Sequence, residues 1–138
     1  MRVLLDTCVV SETIRPNYNK QVRARVEEIA DEDLFLSVLT VGELAKGVEA
    51  LESGRRKNIY GSYLLHLEQA FGDRILDLDI DMARLWGEMA AKAFSRGKTI
   101  PPVDGLIAAT AARHGLAVMT RNVNDFEVAG VRTINPWE

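Results

Sequence analysis

The chain has 138 residues, 47% hydrophobic and 27% charged, a balance that suits one folded domain over residues 1–138 with its own core and little room for a second. The formal net charge of −3 excludes a chain that grips nucleic acid by bulk positive charge, so a phosphate-bearing partner would need local basic residues, a metal or a second protein. A lone cysteine, Cys8, excludes an internal disulfide and a cysteine-rich zinc site, and the chain has neither an apolar run of membrane-spanning length nor a signal-peptide pattern at its start; a cytoplasmic protein is expected.

Val3-Leu4-Leu5 reads as a strand buried on both faces, ending at Asp6. Asn19 is placed to cap a helix that buries Val22, Val26 and Ile29. "DLFLSV" reads as a second buried strand, and "TVGELAKGVEALESG" as a helix with Val41, Leu44, Ala45, Val48 and Leu51 on one stripe and Gly54 as its stop. "RRKNIYGSYLLHLEQAFG" continues as a helix with Tyr60, Leu64, Leu67 and Phe71 inward. "RILDL" is a third strand, and a helix from about Asp79 to Arg96 buries Met82, Leu85, Trp86, Met89 and Ala93. Pro101-Pro102 opens a helix that Gly115 closes; "LAVMT" is a fourth strand, "RNVNDF" a turn and "VRTI" a fifth strand. Strands alternating with helices predict an α/β fold, a mostly parallel sheet of about five strands between helical layers.

Taken singly, each acid has a structural explanation. Asp6 is suited to cap the next turn or helix, Thr40-Val41-Gly42-Glu43 is a textual capping box, Asp104 suits the positive end of its helix, and Asp125 suits a turn. Their shared placement is what those explanations leave over. Asp6, Glu43 and Asp125 follow the exits of three predicted strands and Asp104 opens the helix leading into the fourth, so a parallel sheet would bring them to one edge. Carboxylates gathered there repel unless a cation neutralises them, and an all-oxygen set without a Cys/His pattern suits Mg²⁺ or Mn²⁺.

The motifs "VLLDTCVVSE", "SVLTVGEL" and "PPVDGLIAATAARHGLAVMTRNVNDF" and the ending "NPW", in that order, resemble a PIN-domain ribonuclease of the VapC/FitB type, the toxin half of bacterial type II toxin–antitoxin pairs. The resemblance implies a three-layer α/β/α sandwich, with Asp6, Glu43 and Asp104 as metal-binding catalytic acids. It also implies a fourth position at Asp125 or Asn122: many relatives have Asp where this chain has Asn122, and the acid comes three residues later. Thr120 would orient the site, and Cys8 stands where Asn is common, which weakens a hydrogen-bonding role there. Mg²⁺- or Mn²⁺-assisted hydrolysis of RNA, leaving a 5′-phosphate and a 3′-hydroxyl, is the implied reaction. A homodimer, a larger toxin–antitoxin assembly and a small DNA-binding antitoxin whose tail covers the groove are the implied partners.

Arg15 and Arg121 lie nearest the proposed site in sequence as candidate phosphate contacts, and Arg55-Arg56-Lys57 reads either as an RNA or partner contact or as a solvated basic turn. Two competing readings remain: a PIN-fold binding module that has lost catalysis, and a receiver-like Mg²⁺-binding signalling domain. The receiver needs a second acid beside the first strand and a lysine after the last; "LLDTC" and "RTINPW" have neither.

Overall fold

Burial dictates the first strand. Val3–Leu5 (β1) is between 0% and 4% exposed, with Val3 and Leu5 facing one helical layer and Leu4 the other. The computed structural model describes all 138 residues. The other strands are β2 (Leu34–Ser37), β3 (Ile75–Leu76), β4 (Ala117–Met119) and β5 (Thr133–Ile134). The helices are α1 (Thr7–Ile14), α2 (Lys20–Glu27), α3 (Val38–Glu49), α4 (Arg55–Phe71), α5 (Ile80–Ser95), α6 (Pro102–His114) and α7 (Val123–Val128). The sheet runs β3-β2-β1-β4-β5 with every neighbouring pair parallel.

One core lies between the sheet and α1 to α4, joining Val3, Leu5, Leu36 and Met119 to Val9, Val22 and Leu44. The other joins Leu4 and Val118 to Ile107, Ala108 and Phe126 beneath α6 and α7, with Met89 of α5 packed against it. The expected α/β/α sandwich of five parallel strands is therefore what forms. The chain moves outward from β1 to β3 and then returns to the far side of β1, so the strand order reverses between β1 and β4. Ligands of open parallel sheets bind beyond the carboxyl ends of the strands at such a reversal.

Local readings needed several corrections. Thr7–Ile14, not assigned above to any element, is a helix although five of its eight residues are β-branched; the Asp6 carboxylate accepts the Thr7 N–H and burial of Val9 and Val10 secures it. "RNVNDF" is not merely a turn, because Val123–Val128 coils to bury Phe126 completely. The capping box does not form. Ser37 caps α3 by accepting the Leu39 N–H at 3.1 Å, which places Thr40 inside the helix, fully buried. Val38 thus belongs to α3 and β2 ends at Ser37, while "RILDL", "LAVMT" and "VRTI" contribute two, three and two strand residues. Ala45 is exposed and drops out of its stripe, and Leu85, Trp86 and Met89 are only half-buried.

Ser37→Ala removes the side-chain acceptor from the start of α3, and unfolding in urea is expected to show a loss of about 1–2 kcal/mol.

Candidate active site

Asp6 is fixed through its backbone before its side chain is considered. Its N–H donates to the Met119 carbonyl at 3.0 Å, extending the β1–β4 ladder by one residue, and its own carbonyl accepts the Val9 and Val10 N–H groups that begin α1. The carboxylate therefore emerges at the strand-order reversal, 3% exposed. Oδ1 accepts the Thr7 N–H at 2.9 Å; Oδ2 accepts the Thr120 hydroxyl at 2.8 Å and the Cys8 thiol at 3.6 Å.

Thr120 follows β4 and is fully buried. Its Oγ1 accepts the Asn122 N–H at 2.9 Å, so its own proton is free for Asp6. Cys8 accepts the Arg121 N–H at 3.5 Å while donating to Asp6, so position 8 keeps a hydrogen-bonding role with sulfur in place of an amide. Burial, above all, pushes the thiol above its ordinary pKa, and the Asp6 charge adds to this against the opposing Arg121 N–H. Cys8 is thus a neutral donor.

Glu43 stands in the second turn of α3, exposed beside the acids rather than used as a cap. The Thr7 hydroxyl donates to its Oε1 at 2.5 Å and lies 3.2 Å from the hydroxyl of Thr40. Asp104 is the third residue of α6, whose start is set by Pro102 and by the Gly105 N–H donating to the Pro101 carbonyl. Its carboxyl is pushed up to a pKa of about 7, first by burial, then by the charge of Asp6, then by a hydrogen bond to Asp125 and the charges of Asp125 and Glu43. Asp6 beyond the end of β1, Glu43 of α3 and Asp125 of α7 therefore all bear on Asp104 of α6, and near neutral pH burial and these charges together leave a proton on Asp104.

Of the two candidates for the fourth position, Asp125 reaches the acids. Asn122 lies exposed just before α7, and only its backbone N–H joins the network, through Thr120. Arg15 ends α1, pairs with Glu12 at 3.3 Å and lines the same groove as Glu43. Arg121 stacks its guanidinium 4.3 Å from the Trp137 ring, so both arginines are at the margin of the site and neither is among the acids.

Two contributors were missed in the sequence. Thr7 ties α1 to Glu43; a hydroxyl residue directly after Asp6 was the available signal, legible only once α1 is known to be a helix. Glu12, 8% exposed, accepts the Asn19 N–H at 3.0 Å and holds the loop that carries Arg15.

Chemically, this set offers surplus negative charge and oxygen donors only, which suits a hard divalent cation better than zinc. As they stand, the side chains do not close into a cage of three ligands.

A parallel α/β/α sandwich with carboxylates converging where its strand order reverses is the frame of a PIN domain, and the chain belongs to that family: the PIN domain matches residues 3–131. Over 141 residues the chain is 42% identical to the toxin FitB of Neisseria gonorrhoeae, covering 98% of each chain. Over 137 residues it is 39% identical to a VapC ribonuclease of Sinorhizobium fredii, covering 99% of this chain and 98% of the relative. The solved structure of FitAB bound to a DNA fragment matches at a TM-score of 0.94 and 38% identity, over 99% of this chain and 96% of that one. The chain is thus a PIN domain of the VapC/FitB toxin type, as its motifs implied.

Proposed function

We propose that the chain is a metal-dependent endoribonuclease, the toxin of a type II toxin–antitoxin pair. The observation that carries this reading is that Asp6, Asp125 and Glu43 all bear on the carboxyl of Asp104, which keeps a proton near neutral pH first because it is partly buried and then because those acids face it. The names of the relatives, a toxin and a VapC ribonuclease, support the same reading.

Asp6, Asp104, Glu43 and Asp125 would hold Mg²⁺ or Mn²⁺; Mg²⁺ in particular is often bound by few carboxylates together with water and substrate phosphate, so a closed protein cage is not required. Held there, a divalent cation would supply Lewis-acid charge for the scissile phosphate and for activating a water nucleophile. The remaining work belongs to the chain. The Thr7 N–H, Thr120 and Cys8 hold Asp6 in one rotamer, and the Thr7 hydroxyl holds Glu43. Asp104 would join that set as a carboxylate, giving up the proton it otherwise keeps near neutral pH. Arg15 meets the phosphate chain at the groove rim, and Arg121, braced on Trp137, does so at the other margin. Asn122 serves the loop rather than the cation.

In this reading the chain works in the cytoplasm as a homodimer, within a larger assembly with a small antitoxin that supplies DNA binding; the FitAB complex on DNA supports such a partner. No helix is long and apolar enough to cross a membrane.

The test is cleavage of a mixed RNA pool by purified chain freed of any partner, with Mg²⁺, with Mn²⁺ and with chelator, beside a folded Glu43→Gln variant. Cutting that needs the metal and is lost in the variant is expected; cutting that persists in chelator overturns the reading. Thr120→Val, which keeps the shape but removes the proton held on Asp6, is expected to cost roughly 10- to 100-fold in metal affinity or activity, as loss of an outer-shell partner does. A titration of rate against Mn²⁺ checks this.

A further inference from the structure

The groove that contains Glu43 does not end at the acids. Beside Glu43 its wall is apolar, with Leu44, Val48 and Leu64. Farther out it passes between the α1–α2 connection and the start of α4, where Arg15, Arg55 and Arg56 stand among Tyr18, Tyr60 and Tyr63. The two stretches share Arg15, Arg56, Tyr60 and Tyr63, so they form one continuous path.

The outer stretch is not explained by what holds the fold together. Arg55 and Arg56 occupy the first turn of α4, where positive charge opposes the helix dipole, and no acid accompanies them in that turn. Neither takes part in an ion pair, whereas the neighbouring Lys57 donates to the Glu49 carbonyl and pairs with its carboxylate. The Arg56 guanidinium lies 5.7 Å from the Tyr60 ring centre, and Tyr60 and Tyr63 are 6.3 Å apart at an interplanar angle of 57°. Tyr63 leaves 48% of its surface to solvent. Unpaired guanidinium groups beside the exposed Tyr63 ring, in a chain of net charge −3, concentrate positive charge next to a stacking platform.

We propose that this stretch seats a single-stranded RNA segment leading away from the carboxylate cluster, with Arg15, Arg55 and Arg56 on its phosphates and an unpaired base stacked on Tyr63. The assignment rests on the nuclease reading above and names the form of its substrate. Charge complementarity selects an anionic strand, and the rings select one whose bases are unstacked; a duplex would use only the arginines.

Fluorescence anisotropy with a short labelled single-stranded RNA of mixed sequence, in chelator so that no strand is cut, reads this directly. Arg55→Ala/Arg56→Ala is expected to weaken binding about tenfold and to lower the slope of log affinity against log salt by about 1.4, the share of two phosphate contacts on a single strand. Tyr63→Ala is expected to weaken binding about fivefold or more without changing that slope, and Tyr63→Phe, which keeps the ring, to bind like the unmodified chain. Unchanged affinity in both alanine variants overturns the proposal, as does equal affinity for duplex RNA that Tyr63→Ala does not alter. Unchanged RNA binding with loss of self-association or of antitoxin capture assigns the face to a protein and overturns it equally. Because the assay needs no cleavage, binding losses seen in a chain that cuts no RNA would sink the nuclease reading while leaving this path in place.

Discussion

Asp104→Asn is expected to make the metal-free protein more stable while removing its activity. The Asp104 carboxyl titrates at about 7 in the folded chain against an ordinary value of 3.8. Between those values the folded state holds a proton that the unfolded state has released. The stability linked to that proton is fully present below about pH 4 and is lost as pH rises through 7. In chelator the melting temperature should therefore fall from pH 5 to pH 8 in the unmodified chain, and fall less in the variant, whose amide carries no charge at any of these pH values. The carboxyl is only partly buried, so after allowance for solvent screening the gain at pH 8 is about 1 kcal/mol, or roughly 3–5 °C. Cleavage should drop by about 10²-fold or more, since a charge-bearing member of the site is gone. A variant that is less stable than the parent at pH 8 would return Asp104 to the role of a helix-end charge.

Gly105→Ala carries the second large effect, and it acts through packing. A Cβ at position 105 would lie 2.7 Å from Cδ1 and 2.8 Å from Nε1 of Trp86, on the indole ring itself rather than at the free end of a flexible chain. Gly105 is buried between α6 and α5, and α6 must retreat or the indole must turn. Overpacking of this kind costs about 1–3 kcal/mol, which lowers the melting temperature by roughly 4–12 °C. Asp104 is the adjacent residue, so the retreat of α6 also moves a carboxyl away from Asp6 and activity should fall beyond the loss of folded protein. Combining Gly105→Ala with Trp86→Leu should recover part of both losses, because the two changes meet at one contact. A melting temperature unchanged by Gly105→Ala would show that the close approach of the helices is not tight.

The layers of the fold were legible because burial leaves a direct mark: β1 is apolar on both faces, and α6 shows its start at Pro102 and its stop at Gly115, where φ is 67°. The acids were legible as a set but not as a geometry. Placing Asp6 beside Thr120 depends on β1 pairing with β4, a long-range choice that no local pattern encodes. The short helices were the least visible. α1 is rich in β-branched residues, which favour strands, and α7 has six residues and is held by burial of Phe126 rather than by propensity. Missing α7 is what left Asn122 and Asp125 undecided: Asp125 lies in its first turn and bears on Asp104, whereas Asn122 precedes the helix and joins the network through its backbone N–H to Thr120. Misplacing the start of α3 had a similar origin: Thr40 and Glu43 fit a capping box in text, but Ser37, at the end of β2, is the residue that caps.

The most direct test of the carboxylate cluster is calorimetric titration with Mn²⁺ near pH 6.5 in two buffers of different ionisation heat. Deprotonation of Asp104 on metal binding predicts saturable uptake with proton release, seen as a buffer-dependent enthalpy, and predicts that Asp104→Asn binds more weakly without that release. Equal binding by both proteins, or no binding by either, would contradict a cation site built on Asp6, Glu43, Asp104 and Asp125.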